Sequence, residues 1–426
     1  MNTPKLWNKD FLIISVENFF VYFTFYLLIS IMAVYASDRF NASPSVAGLS
    51  AGIFILGAIL GRLYTGSSIE RVGPKKMLYV AFAFYLTITL FYFLVNSLTL
   101  LLILRMLHGA TFGMASTATA SISAEIIPNE RRGEGTSYYA LSMTLASAIG
   151  PFIGMFVTQH AHFNVNFIAC AVSLGVSLII AFPLKVPQVA STNSKPANTQ
   201  GFDLNGFIEP RAVPIGIITS LTCFCFSSIL SFIAAYTKEI NLIEVGSFFF
   251  IFYSAAILVS RPFVGRWFDR KGENFVVYPA FLLFTVALVI LGQAQQGFTV
   301  LLAGVLAGIG YGNLFSSAQA LAVKVSPQHR KALATSTFFI LVDLGAGIGP
   351  FLLGFLIPTL GYRGMYLSMA FVVFAIIILY YFLHGSKTSK IRENRGDGSP
   401  GLTDFRVYGS METEVIDNAK KSKRKE

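Results

Sequence analysis

Apolar segments of about 20 residues follow one another along most of this chain, and they limit its fold more than any other feature. A helix needs about 20 apolar residues to cross the roughly 30 Å hydrocarbon core of a bilayer. Only 12% of the residues are charged, about half the fraction in a soluble globular protein. The sequence therefore predicts an all-α membrane protein with twelve transmembrane helices, although the breaks before the fourth and tenth segments are weak. The predicted spans are 11–36, 44–68, 77–97, 99–124, 135–158, 164–185, 212–237, 245–268, 275–294, 298–323, 333–357 and 362–384.

The chain contains two copies of one unit. Four residues of the first copy, near the end of the second span, reappear 199 positions later. They are Arg62, Gly66, Arg71 and Gly73, which recur as Arg261, Gly265, Arg270 and Gly272. A duplication of this kind predicts two pseudo-symmetric six-helix halves, with a site between them near the midplane of the membrane.

Polar stretches set the expected boundaries of these units. We predict an N-terminal half at 1–185, a linker at 186–210, a C-terminal half at 211–384 and a tail at 385–426. The linker is rich in Ser, Thr, Asn, Pro and Gln, and no part of it is long enough to span. The tail is hydrophilic and ends in a basic run, so we expect it to be disordered, with its cations attracted to anionic lipid.

Lysine and arginine are concentrated in the tails and in the loops on one side of the predicted bundle. The loops of the other side hold only Arg39, Lys238 and Arg363. Because basic residues favour the cytoplasmic side, we expect a multi-pass protein of a cell membrane, bacterial in origin, with both termini in the cytoplasm. The net charge of +11 then reflects topology and not nucleic-acid binding.

Several charged side chains lie within the apolar spans, and three of them, Glu17, Arg105 and Asp343, are candidates for function. A charge at the centre of a membrane helix costs roughly 2.5–3.5 kcal/mol, so it persists mostly where it faces a cavity or a partner. Asp343 is about 16 Å into its helix at 1.5 Å per residue, and the equivalent residue of the other half is Thr144. We expect Asp343 and Glu17 to be proton-coupling or cation-coupling acids. A structural interhelical pair, or for Glu17 a hydrogen bond to neighbouring polar groups, is the alternative.

The fourth span carries the third of these charges, Arg105. The glycines that follow it at spacings of four, Gly109 and Gly113, recur in the second copy and are explained by helix packing, whereas Arg105 is replaced there by a glycine. We therefore assign Arg105 to function. His108 could titrate, since unperturbed histidine does so near pH 6.5, but a hydrogen-bonded packing role is the alternative.

The loop after the second span combines glycine and charge. Gly66 leaves room for close helix approach, Gly73 begins a sharp turn into a proline, and Glu70 can accept hydrogen bonds from a helix N-terminus. The second copy keeps an acid followed by an arginine. We expect a clasp that controls conformational gating, formed in the two copies by Gly66, Glu70, Arg71 and Gly73 and by Gly265, Asp269, Arg270 and Gly272. A loop that only anchors the chain is the alternative.

Proline and glycine also meet within the fifth span, as Gly150, Pro151 and Gly154. Proline removes a helical hydrogen bond and bends the helix, while glycine allows close crossing. The eleventh span repeats the pair as Gly349 and Pro350. We expect a kinked and tightly packed seam at both places.

These motifs resemble those of the major facilitator superfamily. The segment from Gly66 to Lys76 is similar to the family's loop signature, Gly-x-x-x-Asp-Arg-x-Gly and basic residues, with Glu70 in place of the aspartate. The second copy has the aspartate but carries Glu273 and Asn274 where the basic pair is expected. The resemblance implies that the acid and the arginine of each loop control switching between outward-facing and inward-facing states.

Two further resemblances bear on the direction of transport. Arg105 and Gly109 resemble the family's fourth-helix motif, whose arginine is tied to proton transfer in antiporters. Gly150, Pro151 and Gly154 are similar to the fifth-helix motif of the antiporting exporters, although its upstream glycines are replaced here.

The expected function is that of a proton-coupled secondary transporter, similar to the twelve-helix drug:H+ antiporter branch of this family. It would export small lipophilic or drug-like molecules by alternating access, as a monomer. No Walker A sequence, zinc spacing or disulfide framework is present, so we expect neither an enzyme nor a metal or cofactor. The alternatives are export of an endogenous metabolite such as a metallophore or lipid precursor, nutrient symport, and a receptor that does not transport.

Overall fold

The computed structural model describes residues 6–186, 208–327 and 330–385. Most of the predicted linker, 186–210, and nearly all of the predicted tail, 385–426, lie outside these ranges. The linker boundaries and the disorder and lipid contact of the tail therefore stay predictions.

Twelve helices within the described residues are long and apolar enough to cross a membrane, which confirms the predicted number. No β-strand occurs in the same ranges. We refer to α1–α6 as the first half and to α7–α12 as the second half. The helices are α1 (Lys9–Phe40), α2 (Pro44–Val72), α3 (Pro74–Phe91), α4 (Leu98–Ile126), α5 (Arg132–His160), α6 (Phe163–Ile180), α7 (Val213–Glu239), α8 (Ile243–Lys271), α9 (Glu273–Gly292), α10 (Gly297–Lys324), α11 (Lys331–Gly354) and α12 (Ile357–Tyr380).

Two of these helices are irregular. A single π-helical turn, Gly308–Gly312, interrupts α10, and such turns are frequent at functional sites. In α12 the backbone of Gly361 has φ 66° and ψ 175°, so the regular part of the helix begins at the next residue. The predicted start of the twelfth span, residue 362, marks this break.

Glycines hold α4 against α2 and α10 against α8 in the same way. A Cβ atom at Gly109 would collide with the Phe54 carbonyl, and one at Gly308 would collide with the Tyr253 carbonyl. Phe54 and Tyr253 are themselves 199 positions apart. The duplicated glycines therefore serve helix packing, as expected from their presence in both copies.

The loops of the duplicated motif form the same turn in both halves. Gly73 ends α2 with φ 89°, and Gly272 ends α8 with φ 86°. These positive φ values are accessible to glycine at little cost. We call the side of the bundle that holds the two turns the motif face, and the opposite side the far face.

The second copy lacks the basic pair of the loop signature, and its replacements have structural partners of their own. The Nζ atom of Lys75 donates to the Leu184 carbonyl at 2.6 Å, and the Nδ2 atom of the equivalent Asn274 donates to the Gly385 carbonyl at 3.2 Å. Glu273 accepts from Lys324 at 3.1 Å. Both loops therefore fasten the chain just beyond the last helix of their half, with different chemistry.

The two halves meet through α1 and α7, α2 and α11, and α5 and α8. At the far face, Lys238 forms an ion pair with Asp38 at 2.9 Å. The amide of Gln159 in α5 donates to the Ile243 carbonyl at 2.9 Å and to Ser247 of α8 at 2.7 Å. A cavity of about 240 Å³ lies among these residues.

Close backbone contacts continue this interface toward the middle of the bundle. A Cβ atom at Gly48 of α2 would collide with the Pro350 carbonyl of α11, and one at Gly52 with the Gly347 carbonyl. Between α5 and α8, the hydroxyls of Ser147 and Ser254 are 3.2 Å apart. These contacts run from the far face to about the middle of the helices.

Nearer the motif face, the duplicated glycines of α2 and α8 face open space. A Cβ atom at Gly66 or Gly265 would have no atom within 4 Å. The close helix approach expected at Gly66 is therefore not made in this conformation. The halves are held together on the far-face side of the bundle.

Candidate functional site

An ion pair joins the two halves inside the bundle. The Nη1 atom of Arg62 in α2 donates to the Oδ2 atom of Asp343 in α11. Arg62 lies ten residues before the end of α2 and Asp343 twelve residues after the start of α11. At 1.5 Å per residue both are roughly 15–18 Å from the motif face, close to the middle of the membrane-spanning region.

Exposure separates this pair from Arg105 and Glu17. The side chain of Arg62 is 27% exposed and that of Asp343 is 16% exposed. Arg105 and Glu17, in contrast, are fully buried. A group within the bundle can meet a small molecule only through open space, so the ion pair is the candidate site.

Aromatic side chains of the first half surround the pair. Tyr22 and Tyr26 of α1 lie beside Arg62 and Asp343. Helix α1 contacts α2, α4, α5, α6 and α7, yet both tyrosines remain partly exposed, so the space that they face is within the bundle. The guanidinium of Arg62 also lies 5.9 Å from the centre of the Phe112 ring.

The second half contributes a stack of rings on the other side. Tyr311, in the π turn of α10, stacks on Phe226 with ring centres 3.9 Å apart, and Phe226 stacks on Tyr253 at 5.5 Å. The Tyr311 hydroxyl donates to the Sγ atom of Cys223 at 3.2 Å. Cys223 lies near Asp343. The ion pair is therefore flanked by aromatic groups from both halves.

Arg105 contacts α2 within the first half and does not face the ion pair. Its Nε atom donates to the Ser50 carbonyl at 2.7 Å, and its guanidinium lies 4.5 Å from the centre of the Phe54 ring. Both residues belong to α2. The Nη1 atom has no hydrogen-bond partner among the described residues. In this conformation Arg105 fastens α4 to α2, and its predicted part in proton transfer stays a prediction.

His108 is fully buried and hydrogen-bonded. Its Nε2 atom is 2.9 Å from the Thr89 hydroxyl, and its Nδ1 atom is 3.4 Å from the Tyr92 hydroxyl. The Thr89 hydroxyl already donates to the Tyr85 carbonyl, so it accepts from Nε2–H, while Tyr92 donates to Nδ1. This geometry suits a neutral imidazole and favours the packing alternative.

Glu17 faces away from the ion pair, toward α6. Ser177 of α6 lies beside it, and seven residues along α1 the hydroxyls of Thr24 and Ser173 are 3.4 Å apart on the same face. Neither carboxyl oxygen of Glu17 has a hydrogen-bond partner among the described residues. Asn18 does not satisfy it, because its amide donates to Ser142. The structure therefore does not bring Glu17 and Asp343 together.

The predicted gating residues lie at the motif face. Arg71, Asp269 and Arg270 are exposed, and no hydrogen bond or ion pair joins Asp269 or Arg270 to another described residue. The side chain of Glu70 lies outside the description. Asp269 and Arg270 therefore form no clasp with the described residues, and the gating role of both loops stays a prediction.

The predicted seam of the fifth helix lies within the first half. Gly150 and Gly154 pack on α1, where a Cβ atom at Gly154 would come within 2.7 Å of the Leu27 carbonyl. Pro151 lies inside α5 and Pro350 inside α11. The tight crossing is present, and its connection with antiport stays a prediction.

Sequence reasoning missed Arg62 as a site residue. Its counterpart Arg261 is also an arginine, and a search for charges present in only one half passes over such a position. The signal that could have found it is depth, because Arg62 and Asp343 lie at nearly the same distance from the motif face in helices of opposite halves.

Known proteins resemble this chain over most of its length. The family model of the Major Facilitator Superfamily matches residues 15–292 and 215–415. An uncharacterized MFS-type transporter of Methanocaldococcus jannaschii is 25% identical, covering 82% of this chain and 90% of the relative. The staphylopine export protein of Staphylococcus aureus is 22% identical, covering 80% and 88%.

Solved structures share the fold. A bacterial homolog of the human lysosomal transporter Spinster, in an inward-facing conformation, has a TM-score of 0.70 and 14% identity, covering 90% of this chain and 97% of that one. The nucleoside transporter NupG has a TM-score of 0.69 and 12% identity, covering 87% and 98%. The relatives are transporters and not enzymes, and the chain is a multi-pass membrane protein that belongs to the major facilitator superfamily.

Proposed function

We propose that this protein is a proton-coupled exporter of small organic molecules that works by alternating access. The observation that carries the proposal is the ion pair of Arg62 and Asp343, which links opposite halves in a partly exposed, aromatic-lined part of the bundle. We place the motif face in the cytoplasm, following the distribution of basic residues. The present conformation, joined at the far face, then corresponds to an inward-facing state.

Asp343 is the acid proposed to carry the coupling. Removing one partner of a fully buried ion pair costs roughly 3–5 kcal/mol, because the other charge is left without compensation, and the cost is lower for a partly exposed pair such as this one. A proton on Asp343 removes that charge without a second ion. Binding and release of the proton can therefore decide whether α2 and α11 are held together at this point.

Opening of the far face requires other contacts to separate. The ion pair of Asp38 and Lys238 and the hydrogen bonds of Gln159 close that side. A proton that enters along a membrane potential supplies about 2.3 kcal/mol per 100 mV. One or two protons for each cargo molecule could thus drive export against a concentration gradient.

Two classes of cargo have support. Stacked rings beside the site, including Phe112, Phe226 and Tyr311, favour a lipophilic or drug-like body. The ion pair favours a cargo with charged groups, such as an endogenous metabolite of the metallophore type, and a relative of this chain is named a staphylopine export protein. Multidrug efflux and metabolite export are therefore the two candidate functions.

The other predicted residues have supporting roles in the proposed transport cycle. Glu17, a buried carboxyl without a described partner, is a second candidate for the proton. Arg105, which contacts Ser50 and Phe54, would act through its hold on α2. We propose that the motif-face loops form their clasp only when the far face is open.

Flux measurement tests the proposal directly. Purified protein is reconstituted into proteoliposomes with a pH-sensitive dye inside and an imposed pH gradient, and is challenged with ethidium and with amphoteric metabolites. An exporter that exchanges cargo for protons moves the two in opposite directions, a symporter moves them together, and a receptor moves neither.

The matched variants are Asp343→Asn and Glu244→Gln. Glu244 is an exposed acid in the first turn of α8, so its neutralisation should leave flux unchanged. Proton-driven flux that persists in Asp343→Asn would contradict the coupling role of this residue.

A further inference from the structure

The two charges of the site belong to different halves, and this arrangement limits what can bind there. We infer that the cargo is amphoteric, with an anionic group for Arg62 and a protonated amine for Asp343. This inference rests on the proposed function and names the substrate class of the same site. The juxtaposition that supports it is a partly exposed arginine and a partly exposed aspartate at one level of the bundle.

Charge balance favours an amphoteric cargo over a simple ion. A cation that paired with Asp343 would leave Arg62 without its partner, and an anion that paired with Arg62 would leave Asp343 alone. Either charge left uncompensated costs several kcal/mol in a buried setting. A molecule with both charges replaces one ion pair by two and leaves no charge unpaired.

The geometry of each group fits its proposed ligand. A guanidinium presents parallel N–H donors that suit a carboxylate. Nη1 of Arg62 donates to Asp343 and a further donor is directed to Tyr22, which leaves the remaining N–H groups of the guanidinium for a ligand. Tyr22 lies beside the arginine, and its hydroxyl can donate to the carboxylate of the cargo. The aromatic rings of Phe112 and Tyr26 would border the carbon frame between the two charges.

Competition at Asp343 then sets the direction of coupling. A protonated amine and a free proton both neutralise the carboxylate, so they exclude one another from Asp343. Exclusive occupancy of one site by cargo or proton is the condition for exchange. An anionic cargo, which would bind Arg62 only after Asp343 is protonated, would travel with the proton instead.

The equivalent interface between α8 and α5 does not hold the same pair of charges. At the positions equivalent to Arg62 and Asp343 stand Arg261 and Thr144. Arg261 donates to Ser316 of its own half at 3.3 Å, and Thr144 donates to the Ala140 carbonyl at 3.3 Å. The pseudo-symmetry therefore leaves one amphoteric site for each chain.

A binding screen with charge-matched probes tests this inference. Equal numbers of amphoteric, cationic, anionic and neutral compounds of similar mass are assayed by thermal shift on the purified full chain, with phenylalanine, its amide and its N-acetyl form as one matched set. Amphoteric compounds should dominate the hits. A hit list dominated by simple cations or neutral compounds, or one without amphoteric members, overturns the inference.

Substitutions show which group binds which charge. Arg62→Gln should weaken amphoteric hits roughly tenfold to a hundredfold and shift preference to cations, while Asp343→Asn should shift it to anions. Arg261→Gln is the matched control and should change neither. The exchanged double variant, Arg62→Asp with Asp343→Arg, tests folding, because it keeps an ion pair and should retain amphoteric binding. Unchanged preference in both single variants contradicts the assignment.

Flux measurements separate the two proposals. If amphoteric ligands bind but are not moved by a pH gradient, the proposed transport function is wrong and the proposed ligand class is still supported. If a pH gradient drives flux of a simple cation and this flux does not depend on Arg62, the proposed ligand class is wrong and the transport function is still supported.

Discussion

The interface of α2 with α11 and that of α8 with α5 are copies of one another, and among the residues that the structure describes only the first contains an ion pair. Arg62 and Arg261 occupy equivalent places in α2 and α8. Arg62 reaches Asp343 of the opposite half, whereas Arg261 donates to Ser316 of its own half. The difference arises at one position, where α11 has an aspartate and α5 has Thr144.

This comparison shows how a duplicated scaffold acquires a single site. The glycines that press α4 on α2 and α10 on α8 are kept in both copies because both halves need the same packing. The site needs no such repetition. Asp343 has Thr144 as its counterpart, so the acid of the ion pair occurs in one of the two interfaces. Packing residues follow the symmetry, and the residues of the candidate site depart from it.

Neutralising the acid of the first interface should have the largest effect. We expect Asp343→Asn to reduce proton-driven flux by a factor of about 100 or more, because an amide can neither carry the coupled proton nor form the ion pair with Arg62. Thr144→Asn at the equivalent place should stay within about twofold of the parent chain by the same reasoning, because no ion pair is broken there. Flux in proteoliposomes measures both. Equal losses in the two variants would show that the comparison does not describe function.

Moving the acid to the other interface should restore little of the proton-driven flux. In the double variant Asp343→Thr with Thr144→Asp, the new acid faces the side of the bundle that holds Arg261. We expect no more than about a tenth of the parent flux, because a tenfold loss needs only about 1.4 kcal/mol and Tyr22 and Tyr26 lie beside Asp343 in the original interface. Full recovery in the same flux assay would mean that the ion pair alone is sufficient.

Alanine at the packing glycines should act equally in both halves. Gly109→Ala and Gly308→Ala should each lower the free energy of unfolding by about 1–3 kcal/mol, because a Cβ atom collides with a backbone carbonyl in each case. Thermal unfolding of the purified chain measures this loss. Gly66→Ala and Gly265→Ala serve as controls for stability, since each faces open space in this conformation.

The same controls also sharpen the gating hypothesis. If the helices approach one another at Gly66 and Gly265 when the far face opens, alanine there should slow transport without lowering thermal stability. An unchanged flux in both variants would argue against close approach at these glycines in the other conformation.

The sequence predicted the architecture because apolar length and duplication are strong signals. Twelve spans, the turn at Gly73 and the packing role of Gly109 follow from local rules on hydrocarbon thickness, backbone conformation and side-chain volume. Each of these depends on residues close together in the chain. The lone break at Gly361 was likewise marked by the predicted start of the last span.

The site was only partly accessible to such reasoning. The position of a charge within an apolar span identifies Asp343, Arg105 and Glu17 as unusual, but it does not show which helix each side chain faces. Arg105 and Glu17 turn toward α2 and α6, and only Asp343 faces the other half. The partner of Asp343 lies 281 residues away along the chain, and tertiary packing alone brings the two together.

The smallest expected effect concerns the loops that fasten the last helix of each half. Lys75→Ala removes a donor to the Leu184 carbonyl and should cost about 0.5 kcal/mol, near the lower limit for a hydrogen bond because that contact is partly exposed. Asn274→Ala should cost more, about 1–1.5 kcal/mol, because its amide donates to Gly385 and also accepts from the Tyr380 hydroxyl at 2.8 Å.

Hydrogen exchange at the ends of α6 and α12 measures these two losses separately. Faster exchange confined to the end of α6 in Lys75→Ala, and to the end of α12 in Asn274→Ala, would show that the two loops do the same work with different side chains. Exchange that spreads through both halves in either variant would contradict this, since it would mean that the loops stabilise the interface between the halves and not the helix ends that they contact.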